Sequence, residues 1–153
     1  MTTFEEIGLR NEIIMAITEM GFVTPTPVQD KTIPALLDSK QDLISLAQTG
    51  TGKTAAFGLP IIQQLNEDTN SVQAIILSPT RELCIQITKD LKAYSKFMDR
   101  VNVLAVYGGS SVENQVKALK KGVSIVVGTP GRTLDLIKRK TLKINSIKWL
   151  VLD

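Results

Sequence analysis

Short apolar runs alternate with amphipathic stretches along the chain, and that alternation constrains the fold more than any other feature. The runs cover residues 42–47, 73–77, 101–106, 123–127 and 148–152. Each is rich in β-branched residues and bounded by turn formers, the pattern of strands buried on both faces. Between them Leu83, Ile87, Leu91, Tyr94 and Met98 recur at spacings of three and four, as do Val112, Val116 and Leu119. That spacing lays one apolar stripe along a helix. Ile7, Ile13, Ile14 and Ile17 predict a helix ahead of the first strand, and Ile33, Leu36 and Leu37 a shorter one. Strands alternating with helices predict an α/β fold with a doubly wound parallel sheet. Ligands of such sheets sit beyond the carboxyl ends of the strands.

Composition removes several kinds of chemistry. The chain has one cysteine, Cys84, and no histidine. An intramolecular disulfide, a zinc site of the Cys/His kind and any Ser-His-Asp or Cys-His machinery are excluded within it. Carboxylates, hydroxyls, amides, lysine, arginine or a bound metal must do any work. Cys84 is expected to be a small buried helix residue, not a nucleophile. Its 153 residues suit one domain. No apolar run approaches the roughly 20 residues that span a bilayer. The acidic residues 1–6 lack the basic start of a secretory signal. A lone thiol fits a reducing, cytoplasmic setting. Charge is divided unevenly: residues 1–80 carry a net −5 and residues 81–153 a net +8. That asymmetry points to a polyanion as partner of the second half, although solvated helix faces would account for the lysines too.

After the first predicted strand comes Ala47-Gln48-Thr49-Gly50-Thr51-Gly52-Lys53-Thr54. This matches the P-loop, with alanine at its first glycine position. Gly50 and Gly52 let the backbone curl its N–H groups toward phosphate oxygens. The helix that follows presents its positive end to the same anion. Lys53 would reach the β- and γ-phosphates of ATP and Thr54 would hold Mg²⁺, while Thr49 and Thr51 complete the loop. Pro60 removes a backbone donor and is expected to kink the helix.

Two later segments share one layout, an apolar strand followed by Ser or Thr, Pro, a small residue and Arg. They are Ser78-Pro79-Thr80-Arg81 and Thr129-Pro130-Gly131-Arg132. Ser78 and Thr129 are expected N-caps, and Pro79 and Pro130 the first helical residues. Free helix donors beside an arginine make a phosphate site. Gly108 and Gly109 follow the third predicted strand, where backbone can approach a ligand closely. Three such points on one rim suit a nucleic-acid backbone.

These segments resemble the motifs of DEAD-box ATP-dependent RNA helicases, in the order that family has them. Residues 21–29 resemble its Q motif, with Phe4 as the isolated upstream aromatic. Residues 47–54 resemble motif I, Pro79-Thr80-Arg81-Glu82-Leu83 motif Ia, Gly108-Gly109 the GG motif, and Thr129-Pro130-Gly131-Arg132 motif Ib. Val151-Leu152-Asp153 looks like the opening of the Asp-Glu-Ala-Asp motif. The resemblance implies a RecA-like P-loop NTPase domain, incomplete at its carboxyl end. Residues 1–30 would be an N-terminal helix and Q-motif region, and residues 31–153 a partial ATP-binding domain working with it as one.

The resemblance also implies roles. Gln29 would read the adenine edge through its amide, favouring ATP over GTP, and Phe4 would stack on the base. Thr80, Arg81, Gly109, Thr129 and Arg132, with Pro79, Gly108, Pro130 and Gly131 shaping their loops, would hold RNA by its sugar-phosphate backbone, largely without regard to sequence. Asp153 would hold Mg²⁺ through water. The glutamate that follows in the family, the Ser-Ala-Thr motif and the second RecA-like domain with its arginine fingers would belong to a longer parent chain. The family's Ser-Ala-Thr strand lies between the P-loop strand and the Asp-Glu-Ala-Asp strand, so residues 1–153 alone should leave two strands with unpaired edges and should not hydrolyse ATP. Two other readings stand beside the helicase: a non-catalytic nucleotide- or RNA-binding module, and an unrelated P-loop ATPase acting on DNA or protein.

Overall fold

The computed structural model describes residues 2–153. They form two compact units, one running to Gln64 and taking in Ala93–Asp99, the other made of Leu65–Lys92 and Arg100–Asp153.

The first unit is built on three helices, α1 (Asn11–Glu19), α2 (Pro27–Asp38) and α3 (Lys53–Gln63). Helix α1 buries Ile13, Ala16 and Ile17, which the 3.6-residue period places on one face. Helix α2 begins with a complete capping box. Thr26 accepts from the Gln29 N–H while the Gln29 side chain accepts from the Thr26 N–H, and Pro27 takes the first helical position, where no donor is needed. Such a cap is worth about 1 kcal/mol. Helix α2 lies along α3, with Ile33, Leu59 and Ile62 fully buried. Each such side chain contributes about 1.5–3 kcal/mol by leaving water. Helix α3 runs through Pro60. An aromatic row completes this core. The Phe4 and Phe22 rings stand 6.2 Å apart, and the Tyr94 ring meets Phe22 edge-on at 6.1 Å.

The second unit carries a four-stranded, wholly parallel sheet. Its elements run β1 (Ala74–Leu77), α4 (Arg81–Tyr94, whose last two residues belong to the first unit), β2 (Val103–Val106), α5 (Val112–Lys121), β3 (Ile125–Gly128), α6 (Pro130–Lys138) and β4 (Trp149–Leu152). The strand order is β2-β3-β1-β4. Register places Leu77 opposite Gly128 and Leu152, and Val106 opposite Gly128, so the carboxyl ends finish level on one rim. Ile75, Val106, Val126, Leu136 and Leu142 form the centre of a core on this sheet. Strand β3 is buried throughout, as an inner strand should be.

Four of the five predicted strands form. Residues 42–47 do not: they run without regular structure, with Ile44 89% and Leu46 94% exposed. Apolar character favours a strand only where a neighbour supplies hydrogen bonds and a covering face. Strand β4 pairs on one side only, with β1, and leaves Leu150 and Leu152 exposed; of the two strands expected to have unpaired edges it alone forms, since residues 42–47 are not a strand.

The helix starts also differ in one place. Thr80, not Ser78, caps α4: its hydroxyl accepts from the Leu83 N–H at 3.2 Å. Pro79 lies before the helix, which begins at Arg81. Ser78 instead prolongs the sheet, donating its N–H to the Gly128 carbonyl at 2.9 Å, and it is buried. Thr129 and Pro130 occupy the expected N-cap and first positions of α6, though the Thr129 hydroxyl makes no capping bond. Cys84 is a free, buried thiol, and burial pushes its pKa up.

Candidate functional site

In the first unit, the loop of residues 48–54 is held in shape by α2. The Thr26 hydroxyl donates to the Thr51 carbonyl at 2.9 Å, and the Gln29 amide nitrogen donates to the Gly52 carbonyl at 3.2 Å. Thr51 closes the loop internally, its hydroxyl donating to the Gln48 carbonyl at 2.6 Å. Across a trans peptide the N–H points opposite to the carbonyl. Tying the carbonyls of Thr51 and Gly52 to α2 therefore turns the N–H groups of Gly52 and Lys53 the other way, away from α2.

Glycine is required here for two reasons. Gly50 and Gly52 sit at φ 76° and 84°, in the left-handed region. A Cβ on Gly52 would also lie 2.3 Å from the Gln29 amide nitrogen. Gly52 is the N-cap of α3 and offers no side-chain cap, so the first-turn donors of that helix stay available to an outside anion. Lys53 and Thr54 are the first two residues of that turn, half-buried. Gln29 is 2% exposed. Its oxygen accepts from the Thr26 N–H at 3.0 Å, and one donor and one lone pair remain beyond these bonds. Phe4 is 4% exposed, against Phe22. It is a core side chain of this unit before it is anything else.

In the second unit, three segments meet beyond the ends of β1, β2 and β3. The Arg81 guanidinium lies 4.8 Å over the Tyr107 ring, and a Cβ on Gly109 would lie 3.8 Å from its Nη1. Arg132 donates from Nη1 to the Ser110 carbonyl at 3.2 Å and to the Gln115 side-chain oxygen at 3.0 Å. Gln115 in turn donates to the Tyr107 carbonyl at 3.2 Å. Pro79, Thr80, Gly108, Pro130 and Gly131 are exposed around these side chains, and Thr129 is half-buried. Asp153 follows β4, is exposed, and donates its N–H to the Leu77 carbonyl at 3.0 Å. Glu113 stands near this rim. Its own backbone N–H and the Ser111 hydroxyl hold its carboxyl below the usual range, with Arg139 and Arg132 adding to the effect.

The structure thus joins the segments of Arg81, Gly109 and Arg132 into one surface, and it seats the glycine loop on Thr26 and Gln29. Sequence reading missed Thr26, Tyr107, Ser110 and Gln115. Thr26 had a legible signal, since Thr-x-x-Gln before an apolar stretch is a capping box. For Tyr107 and Gln115 no local pattern announces the contacts.

Among the described residues, no three His, Cys, Asp or Glu side chains group to hold a metal. Thr54 in the first unit offers a hydroxyl and Asp153 in the second a carboxylate; each by itself is the kind of oxygen ligand that suits Mg²⁺, which keeps several waters and takes its remaining ligands from phosphates.

The chain is 54% identical over its whole length to the ATP-dependent RNA helicase CshA of Listeria monocytogenes, covering 29% of that protein. It is 50% identical to the DEAD-box ATP-dependent RNA helicase CshA of Geobacillus kaustophilus, covering 32% of it. The chain therefore spans about a third of the length of these relatives. Among solved structures, a DEAD box protein from the hyperthermophile Methanococcus jannaschii superposes with a TM-score of 0.92 at 42% identity, over 99% of this chain and 41% of that one. A Saccharomyces cerevisiae Dbp5 variant bound to RNA and ADP BeF3 gives 0.91 at 35% identity, over 100% of this chain and 38% of that one. The model of the DEAD/DEAH box helicase family matches residues 26–153, and the chain belongs to that family.

Proposed function

We propose that this chain is the nucleotide-binding and RNA-contacting part of an ATP-dependent RNA helicase, working with a second RecA-like domain of a longer parent. The observation that carries the reading is the junction of Arg81, Gly109 and Arg132 on one exposed rim. A glycine loop alone would suit any P-loop ATPase. Two arginines fixed beside exposed glycine backbone suit a chain of phosphates. The names and contents of the relatives, which are RNA helicases and in one case an RNA complex, support it.

In this reading the N–H groups of Thr49, Gly50, Thr51, Gly52 and Lys53 surround the phosphates of ATP, and the Lys53 ammonium neutralises the β- and γ-oxygens. Thr54 and Asp153 are the protein's oxygens for Mg²⁺, Asp153 through water. When bound, that ion neutralises charge developing on the transferred phosphoryl group. The spare donor and lone pair of Gln29 face the two-sided hydrogen-bonding edge of adenine. Because the same amide holds Gly52, reading the base and shaping the loop fall to one residue. Phe4, packed against Phe22 in the core of this unit, is the aromatic proposed to stack on the base. Thr80, Arg81, Gly109, Thr129 and Arg132 grip the RNA backbone. In the parent, ATP binding closes the two domains on RNA and strains a short duplex, and hydrolysis releases it. Cytoplasmic placement belongs to the same proposal and rests on the RNA reading. Among the described residues, no helix is long and apolar enough to cross a membrane.

The test is phosphate release by the full-length protein with and without RNA, beside Lys53→Ala. RNA-stimulated turnover that vanishes with Lys53 is the expected result. Nucleotide binding with no turnover under either condition would replace the motor with a binding module. Stimulation by DNA but not RNA would replace it with another class of P-loop ATPase.

A further inference from the structure

We infer that Gln115 is a positioning residue for Arg132, holding its guanidinium so that one edge is presented to an RNA phosphate. The inference rests on the RNA-backbone role proposed for Arg132.

Three observations carry it. Gln115 is only 5% exposed, on a helix whose other polar side chains largely face water. Both ends of its amide are engaged: the oxygen accepts from Arg132 at 3.0 Å, and the nitrogen donates to the Tyr107 carbonyl at 3.2 Å. A flipped amide would set its N–H₂ against the guanidinium and its oxygen against a carbonyl, so only one orientation satisfies both neighbours. Arg132 also donates from the same Nη1 to the Ser110 carbonyl. The two Nη1 hydrogens are therefore used inside the protein.

What remains of Arg132 is the edge formed by Nε–H and Nη2. That edge makes two parallel hydrogen bonds to a phosphate. An unrestrained arginine would lose rotamer freedom on binding, whereas this one has lost it on folding. Gln115 also ties down the backbone of Tyr107, whose ring lies under Arg81. One buried amide thus fixes the segment shared by both arginines.

The test uses the full-length protein and reads the RNA concentration giving half-maximal stimulation of ATPase. It compares wild type, Gln115→Met, Arg132→Ala and the double variant, with urea midpoints recorded for each. Gln115→Met should raise the half-maximal RNA concentration about five- to tenfold while kcat at saturating RNA stays within about twofold. In the Arg132→Ala background it should add less than about twofold, because contacting residues that act as a unit are not additive. If Gln115→Met does not fold, Gln115→Asn, whose shorter amide cannot reach both partners, takes its place in the same cycle. An unchanged RNA requirement in the Gln115 variant, or the same factor with and without Arg132, would overturn the inference while leaving the RNA reading standing. If Arg132→Ala itself leaves the RNA requirement unchanged, the reading of Arg132 falls and this inference falls with it.

Discussion

The loop of residues 48–54 and the rim beyond β1, β2 and β3 are both suited to phosphate, yet they are made of opposite materials. The loop is backbone. The groups it can offer an anion are N–H donors, turned by left-handed glycines and by carbonyls tied to Thr26 and Gln29. The rim is side chain. Its arginines are set by an aromatic ring and a buried amide. Backbone donors packed in one loop fit a compact, fully enclosed triphosphate. Spaced guanidinium groups fit a long polymer that must be gripped and released. The difference predicts that the loop tolerates almost no substitution, and that the rim loses affinity in increments.

The largest effect should come from removing the loop's one side-chain charge. Lys53→Ala should cut RNA-stimulated ATPase at least about a hundredfold, since under the proposed function it removes a charge placed to stabilise the reacting phosphate, while RNA binding measured without nucleotide changes little. Next comes Gly52→Ala. It forces a side chain into a left-handed conformation and against Gln29. It should lower stability by about 1–3 kcal/mol and weaken nucleotide binding, both readable from urea denaturation and nucleotide titration. Thr26→Ala should act in the same direction at about 1 kcal/mol, through the lost cap and the freed Thr51 carbonyl. On the rim, Arg81→Ala should weaken RNA binding about equally across sequences and reduce the salt slope by about 1.

The smallest effect is a control at residues that belong to neither site. The Arg10 guanidinium beside Glu12 holds that carboxyl at about 2. A depressed carboxyl contributes stability that is present above its unfolded value and lost as pH falls through the folded one. Thermal melts of wild type and Glu12→Gln should therefore differ slightly at neutral pH and converge between about pH 4.5 and about pH 2.

How far the sequence could be read follows the same physics. Strands β1 to β4 were legible because each apolar run has a parallel neighbour to bond. Residues 42–47 have equal apolar character but no paired strand among the described residues, so the same inference fails there. Helix α2 carries its own start signal in Thr26, Pro27 and Gln29. The start of α4 misled, because Ser78 and Thr80 are both good caps and only the sheet decides which is free. The glycine loop announced itself by spacing. The arginines did too, but their supports did not. Tyr107 and Gln115 are eight residues apart and meet Arg81 and Arg132 only after β1, β2 and β3 align. Gln29 looks like a surface amide in isolation and is buried because the loop folds onto it.

The most direct test of the account is a crossed titration of the full-length protein. Nucleotide affinity and RNA affinity across a salt series would be measured for wild type, Lys53→Ala and the Arg81→Ala/Arg132→Ala pair. The account predicts that Lys53→Ala weakens nucleotide and leaves the RNA salt slope alone. The arginine pair should lower that slope by about 2 and leave nucleotide affinity alone. An arginine pair that keeps its salt slope, or that loses nucleotide in place of RNA, would contradict the division of the two phosphate sites on which the account stands.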